Sequence, residues 1–126
     1  MENLQEKDTT EIIHYLAHTP VGTENIDAIS RKGGRYGIKS TNNTTTGVFY
    51  GLEKPESAVP DSKKFEYVII CKFDDNYELQ KILEMDWDTF LRNKRWHSRM
   101  HAWNLLLVKK LCQQCKVVYE KPEQKL

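Results

Sequence analysis

The segment Phe65-Glu66-Tyr67-Val68-Ile69-Ile70-Cys71-Lys72-Phe73 constrains this chain most. Its centre is apolar at successive positions, and neighbouring residues of a strand point to opposite faces, so a strand here is covered on both sides. Asp74-Asp75-Asn76 supplies a turn after it, and Tyr77 to Met85 reads as the returning strand of a hairpin. Asp86 then stands as the N-cap of a helix through Trp87, Phe90 and Leu91.

The rest of the chain is read around that centre. Asp8 and Glu11 have the spacing of a capping box, with Ile12, Ile13, Leu16 and Ala17 following at helical spacing until Pro20 and Gly22. Asn25 to Ser30 and Arg35 to Ser40 read as two strands joined by a Gly33-Gly34 turn. Gly47 to Leu52 is a short apolar segment that suits strand or helix, and Glu53 to Lys64 is an exposed connection. Helical spacing resumes around Met100, Trp103, Leu106 and Leu107, although Leu105 to Val108 and Lys116 to Tyr119 are also short-strand candidates, and a flexible tail is expected from about residue 120. The sum is an α/β or α+β fold, a central mixed sheet flanked by helices. At 126 residues the expectation is a single domain spanning 1–126.

Composition narrows the function classes. No apolar run reaches the roughly 18 residues of a membrane span, and the first residues do not have the pattern of a signal peptide, so a cytoplasmic protein with no membrane partner is expected. The three cysteines, Cys71, Cys112 and Cys115, are an odd number and do not suggest a disulfide framework. The net charge of +1 conceals a polarised chain. Residues 91–126 hold nine Lys/Arg against two acids, whereas residues 1–90 hold ten against sixteen. A basic end of this kind suits a phosphate-bearing partner.

The first hairpin puts an acid and a lysine where they can meet. Asp27 opposes Lys39 if residue numbers across the ladder sum to 66, which places the turn at Lys32 to Gly34. The order of a helix with an acid, a strand with Ile26-Asp27-Ala28-Ile29, a glycine turn and then Arg35-Tyr36-Gly37-Ile38-Lys39-Ser40 resembles the PD-(D/E)XK nuclease superfamily. The resemblance implies a restriction-endonuclease-like core and Mg²⁺-dependent hydrolysis of phosphodiesters. It implies Asp27 and Glu11 as metal ligands, with Lys39 beside the attacking water as the third catalytic residue. Glu11 is also explained by its capping box alone, and Asp27 with Lys39 by a cross-strand ion pair. Gly37 departs from the pattern, because the family places an acid two residues before the lysine.

A second basic segment runs from Arg92 to Trp103. Wound as a helix, it puts Arg92, Arg95 and Arg99 on one side, with Trp96 available to stack on a base. Together with Arg31, Lys32 and Arg35 these residues form the expected surface for double-stranded DNA. His97, His101, Cys112 and Cys115 have metal-ligand types, but a zinc site among them needs a break between Asn104 and Leu111 that no glycine or proline marks, so structural zinc is not expected. The leading reading is a DNA-binding nuclease-fold domain acting as a Mg²⁺-dependent endonuclease, paired as a homodimer to cut both strands. The alternative is a catalytically inactive accessory factor that binds nucleic acid or protein.

Overall fold

The computed structural model describes residues 17, 18 and 26–123. Among these residues, eight strands and two short helices follow one another: β1 (Ala17–His18), β2 (Ala28–Ile29), β3 (Arg35–Thr41), β4 (Tyr67–Phe73), β5 (Leu79–Asp86), α1 (Trp87–Asn93), β6 (Arg95–His97), β7 (Ala102–Asn104), α2 (Lys109–Cys112) and β8 (Lys116–Glu120). Six strands form one sheet in the order β1-β2-β3-β4-β5-β8, and β6 and β7 form a separate ribbon. Only the β3–β4 pairing is parallel, so the main sheet is mixed and the fold is α+β.

The apolar centre of β4 is buried on both faces, as its sequence requires. Val68 and Ile70 lie in one cluster with Leu83 and Met85 of β5, while Ile69 lies in another with Ile82 and Val118. The first cluster is the larger. It takes Trp87, Phe90 and Leu91 from α1, Leu111 and Cys112 from α2, and Phe49 and Phe65 from the connection between β3 and β4. Phe65 meets both Trp87 and Phe90 edge-on at 4.9 and 5.2 Å, a favoured aromatic geometry. Among the described residues both helices therefore serve this one face. The opposite face is lined by Tyr36, Ile38, Cys71, Leu79 and Tyr119 around Ile69.

Asp86 caps α1 as its position suggests: its Oδ1 accepts from the Thr89 amide at 2.8 Å, and this bond holds the carboxyl below its ordinary range. Four expectations need correction. Ala17, assigned to a helix, lies with His18 in β1; the rest of that expected helix, Glu11 included, lies outside the described residues. Gly47 to Leu52 forms neither helix nor strand, only a bridge from Phe49 to Trp103. The basic segment is not one helix: α1 stops at Asn93 and the chain turns into the β6–β7 ribbon. The fourth correction is the register of the first hairpin. Ala28 pairs with Tyr36 and Ile29 with Arg35, so the numbers sum to 64 instead of 66.

Gly33 and its bonds with Ser30 go with this register. The Gly33 amide donates to Ser30 O at 2.9 Å and Gly33 takes φ +83, a left-handed conformation that glycine adopts without a Cβ clash. The turn is thus Arg31 to Gly33, and the Gly34 amide is free to donate to Ser30 Oγ at 2.9 Å. A turn one residue earlier moves the register by two, which keeps every side chain on its face but slides Asp27 from Lys39 to Gly37.

Candidate nucleic-acid interface

Asp27, Lys39 and Glu11 were the expected hydrolytic residues. The Asp27 amide donates to Tyr36 O at 2.8 Å, and its Oδ2 accepts from the Ile38 amide at 2.7 Å. The carboxylate thus extends the hairpin ladder past the end of β2. Lys39 points elsewhere: its Nζ donates to Val48 O at 3.0 Å and stands 4.7 Å from the centre of the Phe49 ring. Among the described residues no group of three or more His, Cys, Asp or Glu is placed to hold a metal ion. Glu11 lies outside them, so of the two expected metal ligands the described residues include Asp27 alone. The chain does break between Asn104 and Leu111, without glycine or proline, yet His97, His101, Cys112 and Cys115 do not gather into a zinc site.

The residues expected on DNA separate into two regions. At the first hairpin Arg31 and Lys32 are exposed in the turn, and Arg35 is held by Glu66. Its Nε and NH2 form a fork on the Glu66 carboxylate at 3.0 and 2.7 Å. That hydrogen bonding raises the guanidinium above its usual range and lowers the Glu66 carboxyl. The second region is the β6–β7 ribbon together with the end of α1.

The ribbon is rooted firmly. The Asn93 side-chain amide donates to Thr89 O at 2.8 Å and to Gln114 Oε1 at 2.9 Å, which ties the end of α1 to the turn after α2. Lys94 comes next, in extended conformation. Its Nζ lies 3.2 Å from the centre of the Trp103 ring and 3.9 Å from Asp61 Oδ2. Burial pulls this ammonium below its ordinary value, and Asp61 acts against that pull. Asp61 Oδ1 accepts from the Glu53 amide at 2.6 Å, and Glu53 O accepts from Trp103 Nε1 at 2.8 Å. Lys94, Asp61, Glu53 and Trp103 thus close a ring that fastens residues 53–61 to the ribbon. On its other side Trp103 and Phe49 exchange backbone bonds, while Leu105 O accepts from the Thr46 amide and the Leu105 amide donates to Thr46 Oγ1.

Above this root the ribbon presents cations. Arg95 opposes Asn104, Trp96 opposes Trp103 and His97 opposes Ala102. Ala102, Trp103 and Asn104 are buried, so β7 is the inner strand and β6 the outer. Trp96 is half-buried, edge-on to Trp103 at 5.2 Å and to His101 at 6.2 Å, so its ring braces the ribbon. The tip is closed by the Met100 amide donating to His97 Nδ1 at 3.1 Å, and His101 takes φ 50 on the way back. The side chains of Arg95 and Arg99 are exposed and make no hydrogen bond or ion pair with the described residues. Arg92, at the end of α1, donates to Thr89 Oγ1 at 3.1 Å. Lys109 and Lys110 are exposed on α2. From residue 89 to 119 there is no Asp or Glu.

Lys94 and the α2 lysines are additions that sequence reasoning did not single out. Lys94 reads only as one more cation in a basic run, because its partner Asp61 is distant in sequence. Lys109 and Lys110 follow Leu105 to Val108, where an apolar run gives no sign that a helix start will expose them. No protein-family model matches the chain, and no curated protein matches it significantly.

Proposed function

We propose that this chain binds double-stranded DNA through the β6–β7 ribbon and acts as a nucleic-acid-binding factor rather than as a nuclease. The observation that carries the reading is the pair Arg95 and Arg99, exposed on a braced two-stranded ribbon within an acid-free stretch of residues 89–119. A two-stranded ribbon fits the major groove of B-DNA, about 12 Å wide, and arginine pairs with phosphate or with guanine edges there. Neither arginine has to break a bond within the described fold to do so. The polar atoms of Asp27 and Lys39, by contrast, already serve the fold, and we derive no hydrolytic step from them.

Fluorescence anisotropy with a labelled duplex tests this across a salt series. Each phosphate neutralised contributes about −0.9 to the slope of log affinity against log salt. Arg95→Ala with Arg99→Ala is expected to flatten the slope by about 1.8 if both reach phosphate. Lys54→Ala with Lys63→Ala removes the same net charge elsewhere and is expected to leave the slope nearly unchanged. Equal effects of the two double substitutions would reduce the ribbon to general electrostatics and sink the proposal. Nicking of supercoiled plasmid with Mg²⁺, lost in Asp27→Ala and Lys39→Ala, would replace binding alone with the nuclease reading and give these residues back the roles that the family resemblance implies.

A further inference from the structure

Cys112 and Cys115 form a pair that DNA binding does not use. Cys112 ends α2, and the helical winding persists for one turn beyond it: the Gln113 amide donates to Lys109 O at 3.0 Å, Gln114 to Leu111 O at 2.9 Å and Cys115 to Cys112 O at 3.2 Å. At that winding two residues three apart have Cα atoms about 5 Å from each other. Disulfides span Cα separations of roughly 4.4 to 6.8 Å. Both thiols are free and half-buried, and both pack on the same core cluster as Leu111. Cys115 Sγ donates to Leu111 O at 3.3 Å, which holds it on the inner side of the turn. Residues 113–115 lie past the regular helix and can tighten to bring the two sulfurs together without disturbing it.

We propose that Cys112 and Cys115 are a thiol–disulfide redox site, which a low-molecular-weight disulfide oxidises to an intrachain disulfide. Burial, with Cys112 adding to it, pushes the Cys115 thiol up to about 11, so Cys115 is the resolving and not the entering group. Cys112 attacks one sulfur of the external disulfide as thiolate, having given its proton to solvent. That S–S bond breaks and the departing thiolate takes up a proton. Cys115 then loses its proton to solvent, attacks the Cys112 sulfur of the mixed disulfide and expels the second small thiol. Two protein thiols are oxidised and one external disulfide is reduced to two thiols. The bond would close around Gln114, whose Oε1 accepts from Asn93 at the root of the ribbon.

Mass spectrometry of the folded chain with Cys71→Ser, incubated with glutathione disulfide, tests this. The expected product has lost two hydrogens, keeps no glutathione and yields a peptide joining Cys112 to Cys115. Adding Cys115→Ser is expected to stop the sequence at a stable glutathione adduct on Cys112. Glutathione retained on the chain that has both cysteines, or two thiols still free after incubation, overturns the proposal. These masses do not depend on DNA, so the redox site and the DNA-binding reading fail or survive separately.

Discussion

Substituting Lys94 and Asp61, singly and together, measures how the ribbon is fastened to the body. The two charges lie 3.9 Å apart with side chains only 14% and 7% exposed. At an effective dielectric near 20 their attraction is about 4 kcal/mol, and the ammonium over Trp103 adds roughly 1 kcal/mol. Desolvation of both groups cancels most of this, as the lowered Lys94 shows. The intact pair therefore contributes little net stability, but breaking it leaves a charge stranded. Lys94→Met keeps the stem and is expected to cost about 3 kcal/mol, a typical loss for half of a buried pair. Asp61→Asn keeps an acceptor for the Glu53 amide and should cost about 2 kcal/mol, with the ammonium left on the indole. The double variant buries no charge here and should lose only about 2 to 3 kcal/mol, giving a coupling of about 2 to 3 kcal/mol. Urea unfolding followed by far-ultraviolet circular dichroism reads each value from a shift in midpoint at constant slope. Single losses that add to the double within about 0.5 kcal/mol would show that the pair is not coupled, and the ring of contacts would then have no energetic meaning.

Three further outcomes follow from the same structure. Asp86→Ala removes the cap of α1 and should lower stability by about 1 kcal/mol in urea unfolding, whereas Asp86→Asn, which still offers an oxygen to the Thr89 amide, should retain most of it. Because hydrogen bonding to Arg35 lowers the Glu66 carboxyl, that pair's stabilisation should be complete above the ordinary glutamate value of 4.5 and fade as pH falls through the lowered one; Glu66→Gln should be less stable than the parent at pH 7, with the gap closing in acid, and a gap constant with pH contradicts this. Gly33→Val places a β-branched residue at φ +83 and should transfer the left-handed position to Gly34, moving the hairpin register by two. Cysteine pairs at 28/36 and 28/38 would report it, and crosslinking that still favours 28/36 would count against the transfer.

What was legible in the sequence is what local pattern and burial determine together. The continuous apolar centre of β4 dictated a two-sided sheet, the Asp-Asp-Asn turn dictated a hairpin, and Asp86 marked the start of α1, because each signal lies within a few residues of the element it sets. The basic stretch failed as a helix for a related reason. Arg92, Arg95 and Arg99 fit a helical face, but so would any cations spaced that way, and the side chains that decide are Trp96 and Trp103. They pack edge-on across the ribbon, with Trp103 held by Glu53 and Phe49 from a distant connection. No local period records that contact.

The hairpin of Asp27 shows how a site can turn on a choice that sequence pattern leaves open. Gly33 and Gly34 are equally able to take the left-handed position, and both turns keep Asp27 on the face of Lys39 because the two registers differ by two residues. The choice falls to Ser30, whose hydroxyl accepts from the Gly34 amide and whose carbonyl accepts from Gly33, bonds that the earlier turn allows. With β2 only two residues long, few ladder bonds oppose that preference. Asp27 then stands level with Gly37, the position where a catalytic acid would be expected, and its carboxylate closes on the Ile38 amide. An acid at position 37 would put a second negative charge opposite Asp27 in this register. The register that sets Asp27 opposite Gly37 is thus the same one that lets its carboxylate bond to the backbone of β3 beyond the end of β2.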